Sequence, residues 1–221
     1  MDYYTTQSSC LVLSTVLMDG IHVPFAGPAG DFELLPRKEQ YQITQRAFYS
    51  GYKHFHSIKV ETLGLPNGIS FMYGPVAGRG SDITTVRDSG LDDFIRLIQQ
   101  NKPMMYMAFG DLIYNAQFLT AIRSYYEAHG PGVILMWQER LVNLELSWIR
   151  QQIEFYFGEM SNLFTICLSK ESYKLAKEHP YVLEQLRVCH LMTNMYNCLN
   201  GDKFSSKLGV HTPVLEDYLR L

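Results

Sequence analysis

A chain of 221 residues, 47% hydrophobic and 19% charged, suits a single domain large enough to bury a substantial core. A net charge of -3 and a pI near 6.2 exclude the marked basic excess of a stand-alone nucleic-acid binder, while leaving room for a local basic patch beside an acidic site. No segment approaches the roughly 18 uninterrupted apolar residues of a membrane span, and residues 10–18 lack the basic flank of a signal peptide.

Residues 1–9 are polar and read as a flexible N-terminus, with one domain over residues 10–221. Residues 11–18 predict a buried strand ending at Asp19-Gly20, an arrangement that holds a carboxylate at the lip of a sheet. A plain turn aspartate is the competing reading, and His22 nearby reads as structural. Residues 26–47 carry glycine, proline and the pair Arg37-Lys38, predicting a loop. Ile58, Val60 and Thr62 alternate with polar neighbours, and Leu65-Pro66-Asn67-Gly68 signals a hairpin whose return strand covers residues 69–73. Both strands are expected beside the first.

Gly78-Arg79-Gly80-Ser81-Asp82 opens a helix with Ser81 or Asp82 able to cap it, and its spacing fits neither of the standard phosphate-loop patterns. Residues 83–100 read as helix broken near Ser89-Gly90. A second short apolar run, residues 103–109, again leads into an acid, Gly110-Asp111. Residues 117–126 are expected helical and residues 133–136 a short edge strand.

Residues 138–164 form the longest periodic segment. Val142, Leu146, Ile149, Ile153, Phe157, Met160 and Phe164 recur at three-and-four spacing, turning one stripe inward. Glu154 sits beside that stripe, at the core's rim, with Arg150 one turn earlier and able to pair with it. Residues 181–199 predict a further helix, opened by Pro180 and stopped by Asn200-Gly201, whose Met192 and Met195 read as core filler. Residues 212–221 read as a polar tail. The four cysteines, Cys10, Cys167, Cys189 and Cys198, are scattered in apolar surroundings, as reduced core thiols of an intracellular protein would be.

Asp19, Asp111 and Glu154 thus stand out by position. Strands ending at one sheet edge bring distant acids together, and clustered carboxylates are relieved by a hard divalent cation with oxygen ligands. Two such ions can activate a water and steady a leaving oxygen in phosphodiester cleavage.

The blocks Met18-Asp19-Gly20-Ile21-His22-Val23, Arg37-Lys38, Gly80-Ser81-Asp82, Gly110-Asp111-Leu112-Ile113-Tyr114 and Arg150 through Ile153-Glu154 to Phe157-Gly158 resemble, in order and spacing, the catalytic domain of PIF/Harbinger-type transposases, which are DDE-superfamily endonucleases. The resemblance implies an α/β, RNase H-like fold, a mixed central sheet flanked by helices. It implies a hydrolase that cuts DNA with Mg²⁺ or Mn²⁺, with Asp19, Asp111 and Glu154 as catalytic and metal-binding triad. Asp82 matches a further family acid that assists with metal or caps a helix. Arg37, Lys38 and Lys53 fall at family-like basic positions suited to DNA phosphates, against a reading as solvated surface charge, and Arg150 orients Glu154. Nuclear residence follows from the family alone; a homo-oligomer is a further expectation, with the oligomeric state left open by the sequence. The family carries an N-terminal helix-turn-helix region, so docking on DNA is expected to fall to a separate protein. The rival expectation is a transposase-derived protein that has lost its chemistry and works through partner or DNA binding.

Overall fold

The computed structural model describes residues 15–24, 46–88, 90–100, 107–110, 122–123, 126, 132–165, 182–203 and 205–220. Strands β1 (Thr15–Pro24), β2 (Tyr49–Ser50), β3 (Phe55–Gly64), β4 (Ser70–Ala77), β5 (Met107–Phe109) and β6 (Ile122–Arg123) form a mixed sheet. β3 is its spine: β1 runs antiparallel along one edge and β2 and β4 along the other, while β5 and β6 extend the sheet parallel to β1. The helices among the described residues include α1 (Asp82–Asp88), α2 (Leu91–Gln100), α3 (Trp137–Leu163), α4 (Val182–Asn200) and α5 (Leu215–Tyr218).

The hairpin between β3 and β4 forms where its turn residues predict. Gly68 takes a φ of 83°, a conformation open to residues without a Cβ, and its N–H donates to the Leu65 carbonyl at 3.0 Å. Glycine at position 90, φ 71°, likewise separates α1 from α2 at the expected break.

β1 departs from its expected end. It pairs without interruption from Leu17↔Gly64 to Pro24↔Ser57, so Asp19 lies within the strand opposite Thr62. The ladder to β3 gives Asp19-Gly20 backbone partners that outweigh glycine's turn preference. What stops near Asp19 is the neighbour: β5 pairs with Thr15, Val16 and Leu17 and no further. The lip of the sheet therefore comes from the end of β5 at Phe109.

Residues 122–123, expected in a helix, instead form β6 through Ala108↔Ile122 and Phe109↔Arg123, because a β-branched residue beside the buried strand β5 gains a ladder partner that an isolated helix lacks. Residues 133–136 form no strand. They lead into α3, where the Met136 N–H donates to the Glu139 carboxylate at 2.8 Å.

Side-chain alternation along β3 divides the sheet into two faces. Ile58 and Val60 join Phe109 and the α3 residues Leu146, Ile149, Ile153, Phe157 and Met160 in one core, with Val142 and Phe164 packed at its margin, the full stripe that the periodicity predicts. Lys59 points to the other face, where its ammonium meets Gly80 and Asp82 at the foot of α1.

α4 departs from its expected pattern at Met192, although Leu186 and Cys189 join the core. Met192 is exposed, while Thr193, Asn194 and Asn197 are buried. The reason is the hairpin backbone: Asn194 bonds the amide and carbonyl of Ser70 at 3.1 and 2.8 Å, and Asn197 donates to Gly68 at 3.0 Å. Buried amides are tolerated because they satisfy main-chain groups of the turn. Cys189 is buried, Cys198 partly so, and both are free thiols; Cys10 and Cys167 lie outside the described residues.

Candidate active site

Asp19 is partly buried on β1. Its pairing with Thr62, two residues from Val60 on β3, puts it on the face that α3 covers. Thr62 is sealed from solvent, and its Oγ1 has no hydrogen-bond partner among the described residues. A buried hydroxyl left so is costly unless something polar occupies the space beside it.

Glu154 stands on α3, in the layer covering that same face. Its carboxylate receives a 3.1 Å bond from Arg150, the expected i,i+4 pair, and remains 55% exposed. It borders a groove of about 320 Å³ shared with Glu159, Tyr196, Asp202 and Lys203. Burial and the nearby Asp202 carboxylate push the Glu159 carboxyl above its usual range, with Lys203 acting against them.

Two anchors hold Glu154 in register. The Gln152 amide donates to the Leu65 carbonyl at 2.7 Å, tying α3 to the end of β3. On the next turn the Tyr156 hydroxyl meets His190 Nδ1 at 2.7 Å, and His190 Nε2 lies 3.1 Å from the Ser70 carbonyl. A carbonyl only accepts, so Nε2 carries the proton and Nδ1 accepts from tyrosine. Burial lowers the His190 pKa to about 4, holding the ring neutral, and pushes the Tyr156 hydroxyl well above the ordinary tyrosine range. The sequence signal for these anchors is slight: Gln152 and Tyr156 flank Glu154 on a predicted core-facing turn, but nothing local names their distant partners.

Asp82 belongs elsewhere. It forms an ion pair with Lys59, which is 2% exposed, on the face of the sheet opposite α3. There Asp82 neutralises a buried ammonium, on the face away from Asp19. The cap of α1 is Ser81, whose Oγ accepts the Thr84 N–H at 3.2 Å. Lys53 is exposed in the turn after β2, and Arg37, Lys38 and Asp111 lie outside the described residues. β5 is followed to Gly110, which is buried. Among the described residues, no group of three or more His, Cys, Asp or Glu side chains could hold a metal ion. No helix among them is long and apolar enough to cross a membrane.

An acid on the central strand, a second on the helix over it, and a parallel strand ending beside the first define a mixed α/β enzyme scaffold. The chain belongs to the DDE superfamily endonucleases, whose family model matches residues 18–194, nearly the whole sheet together with α3 and much of α4. No curated protein and no solved structure matches it. Membership makes the chemistry nuclease-type, with DNA as the implied substrate, and domains of this family generally use divalent metals.

Proposed function

We propose that the chain is a divalent-metal-dependent DNA endonuclease of the PIF/Harbinger transposase type, built on an RNase H-like sheet, with Asp19, Asp111 and Glu154 as its triad. The observation that carries this reading is the shared face: Asp19 points into the layer that bears Glu154. Asp111 adds to it by sequence offset, since Leu17 pairs with Phe109 and each aspartate is the second residue after its member of that pair. The strand order β4-β3-β1-β5-β6, antiparallel on one side of β1 and parallel on the other, supports the RNase H-like assignment.

The donor set suits Mg²⁺ or Mn²⁺, since carboxylates are the oxygen ligands hard cations prefer, and the orphaned Thr62 hydroxyl beside Asp19 offers a partner for coordinated water. When bound, such ions lower the pKa of an attacking water and neutralise charge on the leaving oxygen. Asp19, on a strand paired along both edges near its start, would be a rigid ligand. Glu154 would be a movable one: its link to Arg150 is exposed and easily exchanged. Arg150 orients the carboxylate until then. Nuclear residence accompanies this reading.

The test is nicking of supercoiled plasmid in Mn²⁺, comparing wild type with Asp19→Asn, Asp111→Asn and Glu154→Gln. Wild-type nicking abolished by each substitution supports the triad. Nicking that survives all three overturns the triad, and a folded wild type that never nicks leaves the non-catalytic, transposase-derived reading in its place.

A further inference from the structure

A pocket of about 600 Å³ lies between the β2–β3 hairpin and the turn after β4, lined by Arg46, Tyr49, Gly51, His56 and Arg79. Both arginines are exposed. Among the described residues neither guanidinium meets a carboxylate, and no acid lines the pocket. Main-chain bonds hold the two cations together: the Arg79 N–H donates to the Ala47 carbonyl at 3.3 Å and the Gly78 N–H to Ser57 at 2.9 Å. Position 78 admits only glycine, since a Cβ there would lie 2.1 Å from Ser57 Oγ. Tyr49 packs edge-on against His56, with ring centroids 5.3 Å apart.

The adjoining turn adds to the patch. The His54 N–H donates to the Ser50 carbonyl at 2.8 Å, and His54 itself takes a φ of 58°. The turn lifts Tyr52 to 83% exposure, with the Lys53 ammonium 5.0 Å from its ring centroid. In a chain of net charge -3, cations gathered on one edge without acidic partners among the described residues form a surface made for an anion. Two guanidiniums beside exposed aromatic rings suit a phosphodiester backbone, since each can bond phosphate oxygens in a bidentate fork.

We propose that this pocket is a phosphate clamp for duplex DNA, Arg46 and Arg79 gripping the backbone away from the cleaved bond, with Lys53 and Tyr52 extending the grip. It rests on the nuclease reading for its substrate. β3 acts as the ruler: six residues separate His56 at the pocket from Thr62 beside Asp19, about 20 Å at strand rise. With one phosphate per strand every 3.4 Å or so of duplex axis, a duplex laid along β3 would be held about six base pairs from the cut.

The test uses the full chain in EDTA with a fluorescently labelled duplex, reading anisotropy across a salt series. Arg46→Gln/Arg79→Gln is expected to weaken binding at least tenfold and to lower the slope of log K against log salt by about one to two, roughly one for each phosphate no longer neutralised. Arg46→Lys/Arg79→Lys, which keeps the charge, should recover the slope and only part of the affinity. An unchanged slope and affinity in the glutamine variant, with its thermal melt intact, overturns the clamp. Wild-type nicking that depends on Glu154 alongside that result leaves the nuclease reading standing. A clamp-dependent salt slope in a protein that never nicks removes the nuclease reading and keeps the clamp.

Discussion

Asp82 and Glu154 are both acids paired with a cation, and the contrast between them separates structure from chemistry. Asp82 is bound to Lys59, an ammonium 2% exposed and also bonded to the Gly80 carbonyl. Glu154 shares a 3.1 Å contact with an arginine one turn away on the same helix, at 55% exposure. Breaking the first strands a buried charge, which costs several kcal/mol. Breaking the second costs at most about 1 kcal/mol, because water replaces the partner. A metal ion can recruit only a carboxylate that is cheap to release, so its pairing leaves Glu154 available, whereas that of Asp82 ties it to the fold.

The strongest test of this contrast is Glu154→Gln, which should lower plasmid nicking by about 10³-fold, of the order seen when one stabilising group is lost from an active site. Its thermal unfolding should stay within about 0.5 kcal/mol of wild type, as expected for an exposed residue. Asp82→Ala should do the reverse, removing about 3–4 kcal/mol of stability in urea unfolding by leaving the Lys59 ammonium uncompensated. A stable Asp82→Ala variant that cannot nick would move Asp82 into the catalytic group and dissolve the comparison.

Acidity probes the anchor beneath Glu154. The folded His190 pKa, about 4, lies below the ordinary 6.5, so the unfolded chain binds the extra proton first. This contribution to stability is whole above pH 6.5 and is lost as pH falls toward 4, amounting to roughly 2–3 kcal/mol in unfolding free energy measured across that window. His190→Gln should flatten the dependence. Tyr156→Phe, which leaves His190 Nδ1 without its donor, should cost about 1–2 kcal/mol. Smallest of all, Arg150→Ala should change stability by less than about 1 kcal/mol. A larger loss there would show that the exposed pair is structural after all.

Patterns of neighbouring residues determined much of this protein by themselves. The three-and-four stripe from Val142 to Phe164 marked the buried side of α3, Asn67-Gly68 marked the hairpin, and Gly90 and Asn200-Gly201 marked where helices stop. Each is a choice made by the backbone within a few residues, so local composition decides it. The arrangement of the candidate site was decided by pairing over long distances. β1 continues through Asp19-Gly20 because β3 supplies its ladder, and residues 122–123 become a strand because β5 lies beside them. Asp82 crosses to the other face because Lys59 is buried there, and α4 buries Asn194 and Asn197 while Met192 stays exposed, because the turn at Gly68 needs donors. A side chain's partner across the sheet depends on strand order and register, which only the folded chain contains.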